Sequence, residues 1–395
     1  MKKLLSAFSA GVLLLLCGCV THVNYVELTG NILVDGPRMI TNGPPKDRVL
    51  WQYRTAKAEM CVGDYAMSRQ LLDDALARLG GIYGKDKSAQ KARGYFHEES
   101  EKTFIGEPYE RVMAYYYRGI LYWMYGELDN ARACFRSGEL EDSSSEGEQY
   151  NADYVLLDYL DGLATTKLGD DGSDAFARSQ KESRDAKPPP YDPTANVLFF
   201  VEYGPGPRKY ASGHYGEELY IAVPQSRVHS AVITVGDQTI DAKPYDDLGF
   251  QATTRGGRVM DHVLNGKAVF KTGTAIGGDI ATHAGVATAI IGAENRNQTA
   301  EEVGLGLFAA GLITEAVSAS VTPRADTRTW DNLPRYLSFA ALNLPPGQHV
   351  ATVEFQNASG ETLPNLTKTI TINVPADKRD KVVFVSDGSA TPQTI

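Results

Sequence analysis

Four prolines fall within the seven residues "KPPPYDP", 187 to 193. No helix interior or central strand can run through them. Proline lacks the N–H that both ladders need, and a run of prolines stays extended and stiff. The chain divides there into two periods. Before it, from Val49 to about Ser183, apolar residues recur at helical spacing. After it come short runs rich in Val, Ile, Thr, Phe and Tyr, bounded by turn residues: "NVLFFVEYG", "EELYIAV", "HSAVITVGD", "LGFQATT", "YLSFAAL", "HVATVEFQ", "TKTITINV" and "KVVFVSD". "VGDQTI" and "LPPGQH" have the composition of hairpin turns. The expected class is α+β, with a helical domain at 47–186, a Pro-rich linker at 187–194 and a β-sandwich-like domain at 195–395.

A Gly/Ala-rich helical insert, about 258–322, interrupts the strand pattern. Gly273, Gly277, Ala281, Gly285 and Ala289 repeat at four-residue steps, giving a smooth face on which another backbone can lie. Asp279, His283, Glu294 and Glu315 make burial in hydrocarbon expensive. A helical hairpin packed on the sheet is therefore expected ahead of membrane insertion or oligomerisation.

At the N-terminus, Lys2 and Lys3 precede an uncharged run from Leu4 to Leu16. That is a basic region and a short apolar region, the grammar of a secretory signal. It falls short of the roughly 20 residues that a spanning helix requires. The boundary Leu16-Cys17-Gly18-Cys19 resembles the bacterial lipobox, in which a small residue precedes a lipidated cysteine. Gly18 qualifies Cys19, and the bulk of Leu16 disqualifies Cys17. Residues 1–18 then form a signal peptide, Cys19 carries acyl chains such as palmitate, and 19–46 is a tether broken by "DGPRM" and "NGPPK". Val20, where an Asp would signal inner-membrane retention, implies a lipid-anchored protein of the bacterial outer membrane, facing the periplasm. An ordinary signal peptide cut elsewhere is the alternative.

The net charge of −10 disfavours nucleic acid and polybasic adhesion to anionic lipid. Removal of residues 1–18 takes away two lysines and no acid. Besides Cys17 and Cys19 only Cys61 and Cys134 remain. Both lie in predicted helices and read as separate buried thiols, although an envelope compartment permits a disulfide.

Within "YYYRGILYWMYGELDNARACFRSG", 115 to 138, Gly119, Tyr122, Gly126, Ala131 and Phe135 stand where a tetratricopeptide (TPR) repeat places small, aromatic, turn, small and aromatic residues. Weaker copies begin at Ala56, with Gly63, Asp64, Leu72 and Ala75, and at Asp161, with Gly162, Gly169 and Asp170. An extra helix at about 88–104 and the acidic loop "ELEDSSSEGE" separate them. The expected architecture is a TPR-like helical hairpin stack. The first helix of each hairpin would present Tyr53, Met113, Tyr116, Ile120, Trp123 and Tyr159 to a groove suited to a peptide. The same residues would serve equally if the chain filled the groove itself, since an aromatic stripe at helical spacing is also the mark of a core.

"FIGEPYERVMAYYYRGILYWMYGELDNARACF", "EYGPGPRK" (202–209) and "RTWDNLPRYLSFAAL" (328–342) are similar to marks of poorly characterised bacterial TPR-like lipoproteins with a C-terminal β-rich region. The resemblance implies this architecture and a membrane address. It carries no activity, substrate or catalytic residue.

No His-Glu-x-x-His, Gly-x-Ser-x-Gly or clustered Cys/His set is present, and the seven histidines are scattered. No catalytic residue, metal site or cofactor is expected. "EYGPGPRK" lacks the ending of a phosphate loop, and its prolines remove N–H donors. Arg208 and Lys209 are candidate anion contacts. The expected function is a non-enzymatic scaffold or adaptor that binds an envelope protein or peptide through the groove. Peptidoglycan or polysaccharide binding by the β-domain is the alternative, with an envelope hydrolase behind both.

Overall fold

The computed structural model describes residues 26–83, 102–143, 153–214, 216, 218–254, 325–377 and 379–394. The signal peptide, Cys19, most of the extra helix and the Gly/Ala-rich insert lie outside them. The architecture is mixed α+β, with helices in the N-terminal half and sheets in the C-terminal region.

Helix α1 (Ile32–Asn42) packs on α2 (Arg48–Val62). Three hairpins follow one another: α2 with α3 (Tyr65–Tyr83), α4 (Pro108–Met124) with α5 (Leu128–Ser143), and α6 (Val155–Lys167) with α7 (Ser173–Glu182). The three turns are built alike. Gly63, Gly126 and Gly169 take positive φ (83°, 76° and 92°), a conformation that only glycine adopts without strain. Each glycine N–H bonds the carbonyl three residues back, and the next N–H, of Asp64, Glu127 or Asp170, bonds the carbonyl five back. This is the Schellman closure of a helix C-terminus.

Charge pairs repeat between hairpins at matching positions. Arg69 reaches Glu127 at 3.2 Å and Arg132 reaches Asp170 at 3.5 Å. One layer deeper, Arg118 pairs with Asp73 (2.5 Å) and Arg136 with Asp161 (2.9 Å). Counted from the turn glycines, these two pairs occupy the same positions with the charges exchanged. Arg118, buried within α4, is thus the inter-hairpin partner of Asp73. At Gly119 a Cβ would lie 2.5 Å from the Phe135 ring, so the second hairpin closes only with glycine there.

Strand β1 (Val197–Pro205) lies between β10 (Lys381–Ser386), parallel, and β7 (Pro334–Leu342), antiparallel. The short β6 (Asp246–Asp247) completes this sheet. A second sheet orders β11 (Gln393–Thr394), β9 (Lys368–Val374), β8 (Gly347–Gln356), β4 (Ser230–Val235) and β5 (Gln238–Ala242). Strands β2 (Arg208–Ser212) and β3 (Glu218–Ala222) form a separate ribbon. Along β1, Leu198 and Phe200 enter the core shared with the helices, while Val197, Phe199, Val201 and Tyr203 enter the core shared with the second sheet. Burial on both faces explains why "VLFFV" is continuously apolar rather than alternating.

Four expectations change. The tether at 19–46 contains helix α1 despite Pro37. Asn31 caps its first turn by accepting from Leu33 N at 3.0 Å, and Gly36 sits so close to Thr55 that a Cβ would collide with its hydroxyl. "LGFQATT" is not a strand but the short helix α8 (Leu248–Thr253), started by Asp247 accepting from Gly249 N at 2.8 Å. "LPPGQH" does not make a hairpin, because β7 and β8 belong to different sheets. The Pro-rich segment changes the secondary structure but does not part the core. Its Tyr191 packs on Tyr159 and Phe176 at 5.0 and 5.1 Å, and one buried cluster runs from α2 through α6 into β1, β7 and β10.

Candidate functional site

All six residues expected to line an open groove are buried. The chain's own C-terminal half covers them. Tyr53 stacks on Trp330 (4.4 Å), Tyr116 and Trp123 meet Phe200 (both 6.3 Å), and Tyr159 meets Phe339 (5.8 Å). Met113 and Ile120 lie in the same core. The Trp123 indole N–H donates to Asp380 at 2.8 Å, and Lys167 holds the other oxygen of that carboxylate at 2.8 Å. Peptide binding in this groove is therefore corrected: the sheet is its occupant. Periodicity could not separate the two cases, because a peptide and a strand ask the same face of the helix.

Two polar clusters sit within this interface. Lys57 on α2 pairs with Glu202 on β1 at 2.9 Å and donates to Cys61 Sγ at 3.1 Å, and the Tyr117 hydroxyl donates to the second Glu202 oxygen at 2.6 Å. Burial opposes the Lys57 charge, yet Glu202 and Cys61 more than offset it and raise its pKa. Cys61 and Cys134 are both buried and unpaired with each other.

In the second cluster, Asp246 on β6 accepts from Val155 N and Leu156 N, both at 2.9 Å, at the start of α6. Burial pushes its carboxyl up to about 7, against those two bonds. Burial raises nearby Glu139 as well, with Asp158 and Asp142 adding to the effect. The native state thus holds the Asp246 proton more tightly than the unfolded chain, whose carboxyl titrates near 3.8. Its contribution to stability is full below that value, is lost as pH rises towards about 7, and is flat above. The slope within that window reaches about 1.4 kcal/mol per pH unit. Asp246→Asn should flatten this part of the stability curve, read as melting temperature between pH 5 and 8. Parallel curves for the two proteins would count against a buried carboxyl.

A surface concavity of about 410 Å³ opens between α1, α2, β2 and residues 327–331. Its wall carries Met39, Leu50, Trp51, Arg54, Arg208 and Asp331, with Asp47, Lys209 and Arg328 beside them. Glu110 organises the floor behind it and is fully buried. One Glu110 oxygen accepts from Trp330 N at 2.7 Å; the other accepts from Glu107 N at 2.7 Å and from Lys209 Nζ at 2.8 Å. The helix start "GEPYERV" forms a capping box through Glu107 and Glu110. It joins "EYGPGPRK" and "RTWDNLPRY" at a single carboxylate, so the three stretches marked in the sequence meet in space.

The two candidate anion contacts part company here. Lys209 is spent on Glu110 and is only 2% exposed. Arg208 is 54% exposed at the mouth of the cleft, 3.7 Å from Asp331. The residue missed was Arg54. It pairs with the other Asp331 oxygen at 2.8 Å, donates to Thr329 O at 2.7 Å and lies over the Trp51 ring at 5.1 Å. Burial depresses the Arg54 guanidinium below its usual range despite Asp331 and Glu110, and Arg208 adds to that depression. No sequence signal joins Arg54 to Arg208, which the fold brings to one cleft.

Among the described residues no group of three His, Cys, Asp or Glu side chains is placed to hold a metal ion, and no helix is long and apolar enough to cross a membrane. Compared with known proteins, the chain matches no family model, no curated protein and no solved structure.

Proposed function

We propose that the protein is a lipoprotein of a bacterial outer membrane, anchored through Cys19, that acts as a scaffold or adaptor for another envelope component. On this reading the three hairpins are a TPR-like array and the two sheets a β-sandwich-like unit. The array packs its apolar face on its own sheet, and partner recognition passes to the cleft at the junction. The three like-built turns support the repeat reading. The observation that carries the partner site is the half-exposed Arg208, which shares Asp331 with Arg54 at the mouth of a cleft drawn from three distant segments.

The test is capture of envelope components by the lipidated protein, compared with Arg208→Glu and Cys19→Ala. Cys19→Ala is expected to leave the membrane fraction or to remain an uncleaved precursor. Arg208→Glu is expected to keep its melting temperature and its membrane address while losing the captured component. Retention of every captured component by Arg208→Glu would remove the cleft from the adaptor reading. Normal membrane attachment of Cys19→Ala would remove the anchor.

A further inference from the structure

We propose that this cleft binds the C-terminal carboxylate of a peptide, with Arg208 and Arg54 holding the carboxylate and Met39, Leu50 and Trp51 receiving an apolar terminal side chain. The inference rests on reading the cleft as the partner site.

Around the cleft as a whole four cations face five acids, and only its mouth favours a single negative charge. Arg328 lies between two acids, Asp47 and Asp326, at 2.7 Å from each. Lys209 likewise faces Glu110 at 2.8 Å and Glu107 at 3.6 Å. At the mouth the count reverses, since Asp331 is the one acid in direct ion pairs with Arg54 and Arg208, with Glu110 acting on Arg54 from farther off. The surplus there is one positive charge, partly withdrawn from water. A carboxylate matches that surplus, and guanidinium groups suit its planar pair of oxygens. A phosphate dianion would overshoot it, with Asp331 and Asp47 in the same cleft to repel the second charge.

The remaining lining describes the rest of the ligand. Leu50 and Trp51 are buried apolar walls beside the two arginines, and Met39 flanks them. Thr327 and Asp331 line the same space and offer acceptors for the N–H of a terminal residue. A volume of about 410 Å³ lies at the small end of ligand sites and suits one or two residues. Capture of a C-terminal carboxylate is a recurrent mode of peptide recognition.

The experiment is calorimetric titration of the full mature protein in detergent with N-acetyl-alanyl-phenylalanine and with its C-terminal amide. The acid should bind and the amide should bind at least tenfold more weakly. Arg208→Ala should weaken the acid at least tenfold, and Arg208→Lys should recover part of the loss. Arg208 is the deciding position, because Arg54 also holds Thr329 and its loss disturbs the wall. Equal binding of acid and amide would overturn the proposal, as would an Arg208→Ala protein that binds like wild type. So would displacement of the peptide by equimolar inorganic phosphate, or Arg208-dependent binding of phosphatidylglycerol vesicles in place of the peptide. Loss of envelope capture in Arg208→Glu without binding of the acid peptide would overturn the ligand and leave the adaptor reading standing. Arg208-dependent peptide binding with unchanged envelope capture would do the reverse.

Discussion

A chain carrying both Tyr116→Ala and Trp123→Ala is expected not to fold. The two rings lie seven residues apart on α4 and both close on Phe200 of β1. Both are 2% exposed. Replacing one buried large aromatic by Ala costs about 3–5 kcal/mol through lost transfer and the cavity left behind. Trp123 also forfeits its bond to Asp380, leaving that carboxylate with Lys167 but without the indole. Two such losses approach the whole stability of an ordinary domain, about 5–15 kcal/mol. Circular dichroism of the double variant should show no cooperative thermal transition. A folded double variant would mean that these rings face a partner and that the sheet does not cover them in solution.

Glu202→Ala should be strongly destabilising. Removing one partner of a buried ion pair leaves the other charge unpaired and costs about 3–5 kcal/mol. Here the Tyr117 hydroxyl loses its acceptor as well. The compensated variant Lys57→Met with Glu202→Gln should recover most of the loss, since the glutamine oxygen still accepts from Tyr117 and no charge remains to be buried. Urea unfolding at neutral pH measures both. A Glu202→Ala protein within about 1 kcal/mol of wild type would mean that water reaches Lys57, contrary to its burial.

The helical turns were legible because Gly63, Gly126 and Gly169 each close a helix and precede an acid, a local arrangement that sequence records directly. Strands β1, β4, β7, β8, β9 and β10 were legible from their composition. Helix α8 was not, because "LGFQATT" mixes β-branched and aromatic residues, and only the Asp247 cap reveals its start. Helix α1 was hidden by Pro37, whose lost hydrogen bond is offset by the Asn31 cap and by packing on α2. The cleft was half legible. Arg208 stood out in a loop of glycines and prolines, whereas Arg54 looks like any polar residue of a helix until the fold brings the two to one cleft. Lys209 was misassigned because its pairing with Glu110 spans almost a hundred residues.

Strand β10 sets an order on how this molecule can come into being. It lies beside β1 and gives Val382 and Phe384 to the helical core and Val383 and Val385 to the core between the sheets. Nearly two hundred residues separate the two strands, and contacts so distant along the chain form slowly. Neither core is complete until this late segment is present. A chain threaded end-first through a membrane pore would therefore stay open for most of its passage, and would acquire its final shape only on the far side.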